Sequence, residues 1–475
     1  CLLAVPGVMA YQNWDDHDRS NRLTTQSTAK AYLESTQRGA GAMLFTIGDN
    51  DTFPLWYVQE IEGYRTDVRV INTSLFATDW YIDQMKRQAY ESAPIPSQLT
   101  HDNYKYGSRD AIYYQGVTES RWDIKDFMNW VGSDKPQTKF KYILQKQGAD
   151  LSGYSESNQD IVYYPTNKIR IPVNKKNVLE SGLVKPKDSA LIVDYIDIDL
   201  PTGALPKNRI MMLDIIANND WKRPIYFSGG SFDDGEYIWM KDYLQLDGLV
   251  YKLVPIKTDR LSPYEMGRID SDLMYDIVKK WEWGNAGSSD IYHDPQTRSQ
   301  GLSFRGNLAR LTETLIAEKK IDKAKEIINI AMDNMPLDYF GYYAFVEPFL
   351  DGYYKVGETQ KARDLFQRLK NKYQDRLEYY ENIPLNQQYE NINDIIGDME
   401  GYRRNIDILI ANRDKDLAEK ETLIFNEYID KFSHFYKDDI LEEDLPMEDD
   451  LEMMDTMEIE GGTMPKDTVP SVIEE

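Results

Sequence analysis

Short apolar runs alternate with helix-spaced stripes over the first 260 positions, and their order is informative. Ala42-Met43-Leu44-Phe45-Thr46-Ile47 reads as a buried strand that stops at Gly48. Two acids follow, and an expected helix then runs to about Glu62. Asp51 or Thr52 is its natural N-cap, and Pro54 suits a first turn because it has no N–H to satisfy. Asp67-Val68-Arg69-Val70-Ile71-Asn72 supplies a second strand and completes a β-α-β unit. Asp49, Asn50 and Asp51 then fall at the carboxyl end of the first strand, where open α/β sheets bind ligands. A capping loop draws on the same residue types as a ligand loop, so both readings stand.

Thr24 to about Arg38 has helical spacing, with Gly39 and Gly41 as its stop. Thr78 or Asp79 is placed to cap a helix over about Trp80–Glu91. Residues 101–187 mix tyrosines, isolated prolines and short strand-like pieces, and read as an insertion. Strand signals return at Ala190–Val193, Ile210–Ile216, Pro224–Ser228 and Leu249–Val254. The expectation is a Rossmann-like α/β domain with a mostly parallel sheet over residues 13–260.

The period changes to helical from about Phe304. Lys-Ala pairs at 323–324 and 361–362 recur 38 residues apart, close to the roughly 34-residue tetratricopeptide period. An all-α, tetratricopeptide-like repeat domain is expected over 300–437, with plain antiparallel helical hairpins as the alternative. Residues 438–475 carry 15 acidic residues against one Lys. Such a segment buries too little apolar surface to offset chain entropy, and an acidic disordered tail is expected.

A length of 475 residues calls for two or three domains. The net charge of −25, without a basic stripe, argues against nucleic acid as a partner. One cysteine excludes an internal disulfide framework. The 34 tyrosines fit surfaces that face sugars or peptides, and a plain compositional bias accounts for them more simply. Residues 1–12 open apolar and lack an initiator Met, but are far shorter than the ~20 residues a bilayer requires. They read better as the end of a truncated transmembrane helix, leaving the membrane at Tyr11 and Trp14, than as a lipidated N-terminal cysteine. The mean hydropathy of −0.60 describes a water-soluble remainder.

The four histidines, at 17, 101, 293 and 434, have no metal-ligand spacing. Neither a nucleophile elbow nor a phosphate-binding P-loop is present. Carboxylate clusters remain: Asp15/Asp16/Asp18 around His17, Asp49/Asp51, and Asp233/Asp234/Glu236, the last resembling a surface turn. Asp49-Asn50-Asp51 has the D-x-D form with which many nucleotide-sugar transferases hold a divalent cation. Three letters carry little specificity, so Asp49 and Asp51 are weak metal candidates and no other cofactor is indicated.

Longer motifs carry a resemblance. Asn13-Trp14-Asp15-Asp16-His17-Asp18-Arg19-Ser20, Gly48–Tyr57, Thr78-Asp79-Trp80-Tyr81-Ile82, Ile171-Pro172-Val173, Leu213-Asp214-Ile215 and Trp221–Phe227 resemble the soluble C-terminal half of a group of large bacterial membrane proteins. That family is catalogued as a domain of unknown function. Its multi-spanning N-terminal half resembles GT-C-type glycosyltransferases, and a vertebrate relative is a protein O-mannosyltransferase. The resemblance spans about residues 10–435 and excludes the tail. It implies a membrane-anchored protein whose soluble part is extracytoplasmic (periplasmic), involved in protein glycosylation. The GT-C-like catalytic acid is expected in the membrane half, so no catalytic residue carries over to this chain. The reading that follows is binding of an acceptor polypeptide or glycan. Trp56, Trp80 and neighbouring tyrosines would stack on sugar faces, and Asp49, Asn50, Asp51 and Asp79 would supply polar contacts. Trp56 and Tyr57 are also natural helix-to-sheet packing residues. Two alternatives are a tetratricopeptide-type envelope scaffold with no carbohydrate role, and an independent metal-dependent transferase centred on Asp49/Asp51.

Overall fold

The computed structural model describes residues 3–148, 151, 159–229, 238–258 and 266–435. The acidic tail and the Asp233/Asp234/Glu236 cluster lie outside the described residues. Two compact units divide the chain, Cys1–Val346 and Glu347–Glu475.

Among the described residues the first unit has eleven strands: β1 (Met43–Thr46), β2 (Arg69–Asn72), β3 (Ala111–Tyr114), β4 (Trp122–Asp123), β5 (Tyr163–Tyr164), β6 (Lys168–Pro172), β7 (Tyr195–Asp199), β8 (Ala204–Pro206), β9 (Ile225–Ser228), β10 (Leu244–Asp247) and β11 (Val250–Leu253). The central sheet has the order β10-β11-β9-β1-β2. β1 pairs in parallel with β2 and with β9, while β11 and β10 add antiparallel strands on the β9 side. All five strands are buried at every position, as expected for a sheet covered on both faces. Phe45 stacks on Phe227 at 5.5 Å in this core. The helices Thr24–Glu34 and Asp49–Glu60 pack on each other. Two three-stranded sheets, β5-β3-β8 and β4-β6-β7, are built from the inserted region and the chain just after it.

Three local expectations are corrected. Ile210–Ile216, read as a strand, lies within the helix Lys207–Asn219, of which eleven residues are buried. A helix enclosed on all sides shows no polar face, so a continuous apolar run does not distinguish it from a buried strand. Ala190–Val193, also read as a strand, overlaps the 3-10 turn Pro186–Leu191, opened by its proline. The helix that follows Thr78 spans only Asp79–Met85. Tyr90 at φ 50° and an Ala89–Ser92 bridge turn the chain back soon after its end.

Regular structure from Pro295 to Lys431 is helical. Pro295–Ala317 and Ile321–Asn334 form an adjacent pair within the first unit. The second unit contains Glu347–Lys355, Thr359–Glu381, Ile392–Ala411 and Lys415–Lys431. Ala324 and Ala362, the alanines of the recurring pairs, are both fully buried. The architecture is thus an α/β region followed by an all-helical one. The N-terminal helix Ala4–Gln12 buries none of its residues. Among the described residues no helix is long and apolar enough to cross a membrane.

Candidate functional site

The turn after β1 depends on Gly48, whose φ of 80° and ψ of −172° lie in a region essentially reserved for glycine. The next helix starts directly at Asp49, three or four residues earlier than a cap at Asp51 or Thr52 would place it. Gly48 is therefore the N-cap, and Pro54 lies inside the helix, where it forfeits the bond to the Asn50 carbonyl. Local polar groups support this early start. The Thr52 hydroxyl donates to the Gly48 carbonyl (2.7 Å), and the Ile47 N–H bonds the Asp51 carboxylate. Asp49 and Asp51 occupy the first turn, where the helix dipole favours negative charge.

A buried polar network beneath the turn joins the carboxyl ends of the parallel strands. Thr46 and Thr52 share a 2.7 Å hydroxyl–hydroxyl bond. Asn72, at the end of β2, donates to Thr52 Oγ1 (2.9 Å) and to the Gly48 carbonyl (3.3 Å), and accepts from the Leu75 N–H (2.9 Å). The Asn72 N–H donates to the Tyr81 hydroxyl at 3.0 Å. Ser228, at the end of β9, donates to Asp51 Oδ2 at 2.7 Å. The connections from β1 to β2 and from β2 to β9 run to opposite sides of β1, which makes this strand edge a topological switch point.

The predicted site residues fall into three settings. Asp49 and Asn50 are exposed at the helix start. Asp51 is turned inward onto Ser228, and burial raises its carboxyl pKa despite the bonds from Ser228 and Ile47. Asp79 accepts from the N–H groups of Tyr106 (3.1 Å) and Trp80 (2.7 Å), which hold its carboxyl below the usual range. Trp80 is 55% exposed and meets Tyr81 edge-on, and Tyr106 is 90% exposed. Trp56 is half-buried, 5.6 Å from Phe53, whereas Tyr57 is exposed rather than packed on the sheet. Among the described residues no group of three His, Cys, Asp or Glu side chains is arranged to hold a metal ion. Around His17, the ring bonds the Asn13 carbonyl and Asp18 accepts from Ser20, both local contacts.

Sequence reading missed Asn72, Ser228 and Tyr106. The signal for the first two was a polar residue closing an apolar run in two strands. Tyr106 is 27 residues from its partner Asp79 and had no local signal.

Asp51→Asn tests the electrostatics of the turn. The unfolded carboxyl titrates near 3.9, and the folded pKa is higher because the group is buried. A raised carboxyl pKa contributes stability that is present at acid pH and lost as pH rises through the folded value. The variant should therefore melt with wild type in acid and above it near neutrality. Thermal melts from acid to neutral pH check this, and a variant less stable than wild type at neutral pH contradicts it.

These features define an open α/β domain with elaborated loops at the carboxyl ends of its parallel strands. Residues 25–273 match the family described as TMEM260-associated domain 2, and the chain belongs to that family. No curated protein and no solved structure matches the chain.

Proposed function

We propose that the first unit is the acceptor-binding part of a membrane glycosyltransferase-like protein, working outside the cytoplasm next to a membrane-embedded catalytic half. One observation carries the reading: two residues with exposed aromatic side chains, Trp80 and Tyr106, hold a single carboxylate through their backbone N–H groups. Asp79 is fixed by the backbone of both residues, at 2.7 and 3.1 Å. Flat apolar faces beside a pre-oriented acceptor suit a sugar ring, which presents C–H faces and hydroxyl donors, or a hydroxyl-bearing peptide. The family match supports the membrane association, and the GT-C-like link rests on the resemblance. Asp49 and Asn50 add polar groups at the neighbouring helix start, and the catalytic acid belongs to the membrane half.

Binding of acceptor glycans and hydroxyl-rich peptides to the chain, followed by saturation-transfer NMR, tests this. Trp80→Ala with Tyr106→Ala is expected to weaken binding at least about tenfold, or roughly 1.4 kcal/mol, without lowering the melting temperature. Unchanged affinity in this double variant rejects the reading.

A further inference from the structure

A second constellation lies on the β10–β11 side of the sheet, apart from the Asp51 turn. Register places Gln245 opposite Lys252 and Lys252 opposite Tyr226. Residues directly opposite across adjacent strands share a face, so these three side chains form a polar row across β10, β11 and β9. Asp247, two residues beyond Gln245, joins them on that face. All four are almost fully buried: Gln245 at 5%, Asp247 at 2%, Lys252 at 3% and Tyr226 at 1% exposure. A hydrophobic layer would be ordinary at these positions. Four polar residues there require an account.

Their mutual bonds leave capacity over. Asp247 accepts from Gln245 Nε2 (2.8 Å) and pairs with Lys252 Nζ (2.8 Å). The Tyr226 hydroxyl accepts the Gln37 N–H at 3.1 Å. An ammonium has three N–H donors, a tyrosine hydroxyl one, and a glutamine carbonyl accepts. Among the described residues Lys252 has no partner besides Asp247, the Tyr226 proton has no acceptor, and the Gln245 carbonyl has no donor. Burial pushes the Tyr226 hydroxyl pKa far up, so it remains a donor.

These groups line a cavity of about 240 Å³, where a single water needs roughly 10–15 Å³. The acids of its wall are already engaged. Glu34 is bound by Arg38 and the Tyr64 hydroxyl, Asp270 by the Leu273 N–H and Lys185, and Asp188 by Arg268. Lys280, also in the lining, is exposed and has no ion-pair partner among the described residues. A chain of net charge −25 thus has here a pocket lined by two buried residues with spare donors, one with a spare acceptor, and an exposed lysine outside any ion pair among the described residues.

We propose that this cavity is a binding site for a small polyhydroxylated anion, a sugar acid or a sugar monophosphate, with its hydroxyls on Lys252, Tyr226 and Gln245 and its anionic group towards Lys280. The site is separate from the Trp80–Asp79–Tyr106 patch and does not depend on it.

Titration calorimetry of the full chain with glucuronate, glucose 6-phosphate, glucose and inorganic phosphate tests the proposal. One of the two sugar anions should bind with a dissociation constant of about 1 mM or tighter, and glucose at least about tenfold more weakly. Whether the carboxylate or the phosphate is preferred identifies the anionic group. Lys280→Ala should weaken that anion about three- to tenfold with no change in melting temperature. Lys252→Met alone would strand a buried Asp247 charge, so the internal variant is Lys252→Met with Asp247→Leu, because replacing both members of a buried pair is often tolerated. It should abolish binding while the chain stays folded. Three results overturn the proposal: no heat with either sugar anion up to about 10 mM, inorganic phosphate binding as well as the sugar phosphate, or binding indifferent to both variants. In each, the cavity holds water or a stray ion only. Trp80→Ala should leave this binding unchanged, which separates its failure from failure of the acceptor reading.

Discussion

Asp214→Ala is expected to destabilise the first unit by about 3 kcal/mol, since each buried donor left unsatisfied costs roughly 1–3 kcal/mol. Asp214 is completely buried on the helix Lys207–Asn219. Its carboxylate accepts from the Ser97 hydroxyl (2.5 Å), the N–H groups of Gln98 and Leu99 (each 3.3 Å) and the Asn218 amide (2.9 Å). It thereby ties the chain after β2 to a helix more than a hundred residues later. Alanine strands these donors and leaves a void. Asp214→Asn fills the space but puts a donor where an acceptor is required, so an intermediate loss of about 1–2 kcal/mol is expected. Urea denaturation of the three proteins at neutral pH measures both, and a loss well under 1 kcal/mol for alanine would refute the account. Leu213-Asp214-Ile215 carried part of the family resemblance, and this position has a structural role.

Asn72→Ala should cost about 2–3 kcal/mol by the same reasoning, with a local signature that Asp214→Ala lacks. Asn72 is 2% exposed and holds both loops at the strand ends, through Gly48 and Thr52 on one side and Leu75 on the other. Its removal should speed amide exchange in both the turn over residues 48–52 and the turn over residues 75–79, while the middle of the sheet stays protected. Acceleration in one turn alone would mean that the two are held independently. Because Asp79 ends the second turn, the substitution should also weaken any ligand bound at Trp80 and Tyr106.

The β1–Gly48–helix–β2 unit was legible in the sequence because its signals are local: an apolar run, a glycine, first-turn acids and a second apolar run. The change to helical structure near residue 300 was legible for the same reason, as its amphipathic stripes repeat over long segments. Tertiary structure decided the remainder. Ile210–Ile216 is helix because it is enclosed on all sides, and enclosure removes the polar face that reveals a period. Asp51 faces Ser228, 177 residues away, and Asp79 is held by Tyr106; chain folding alone sets such pairings. The Gln245–Lys252–Tyr226 row exists only in register. Along the chain these are isolated polar residues within apolar runs, and strand pairing brings them onto one face, where burial leaves donors and an acceptor unspent.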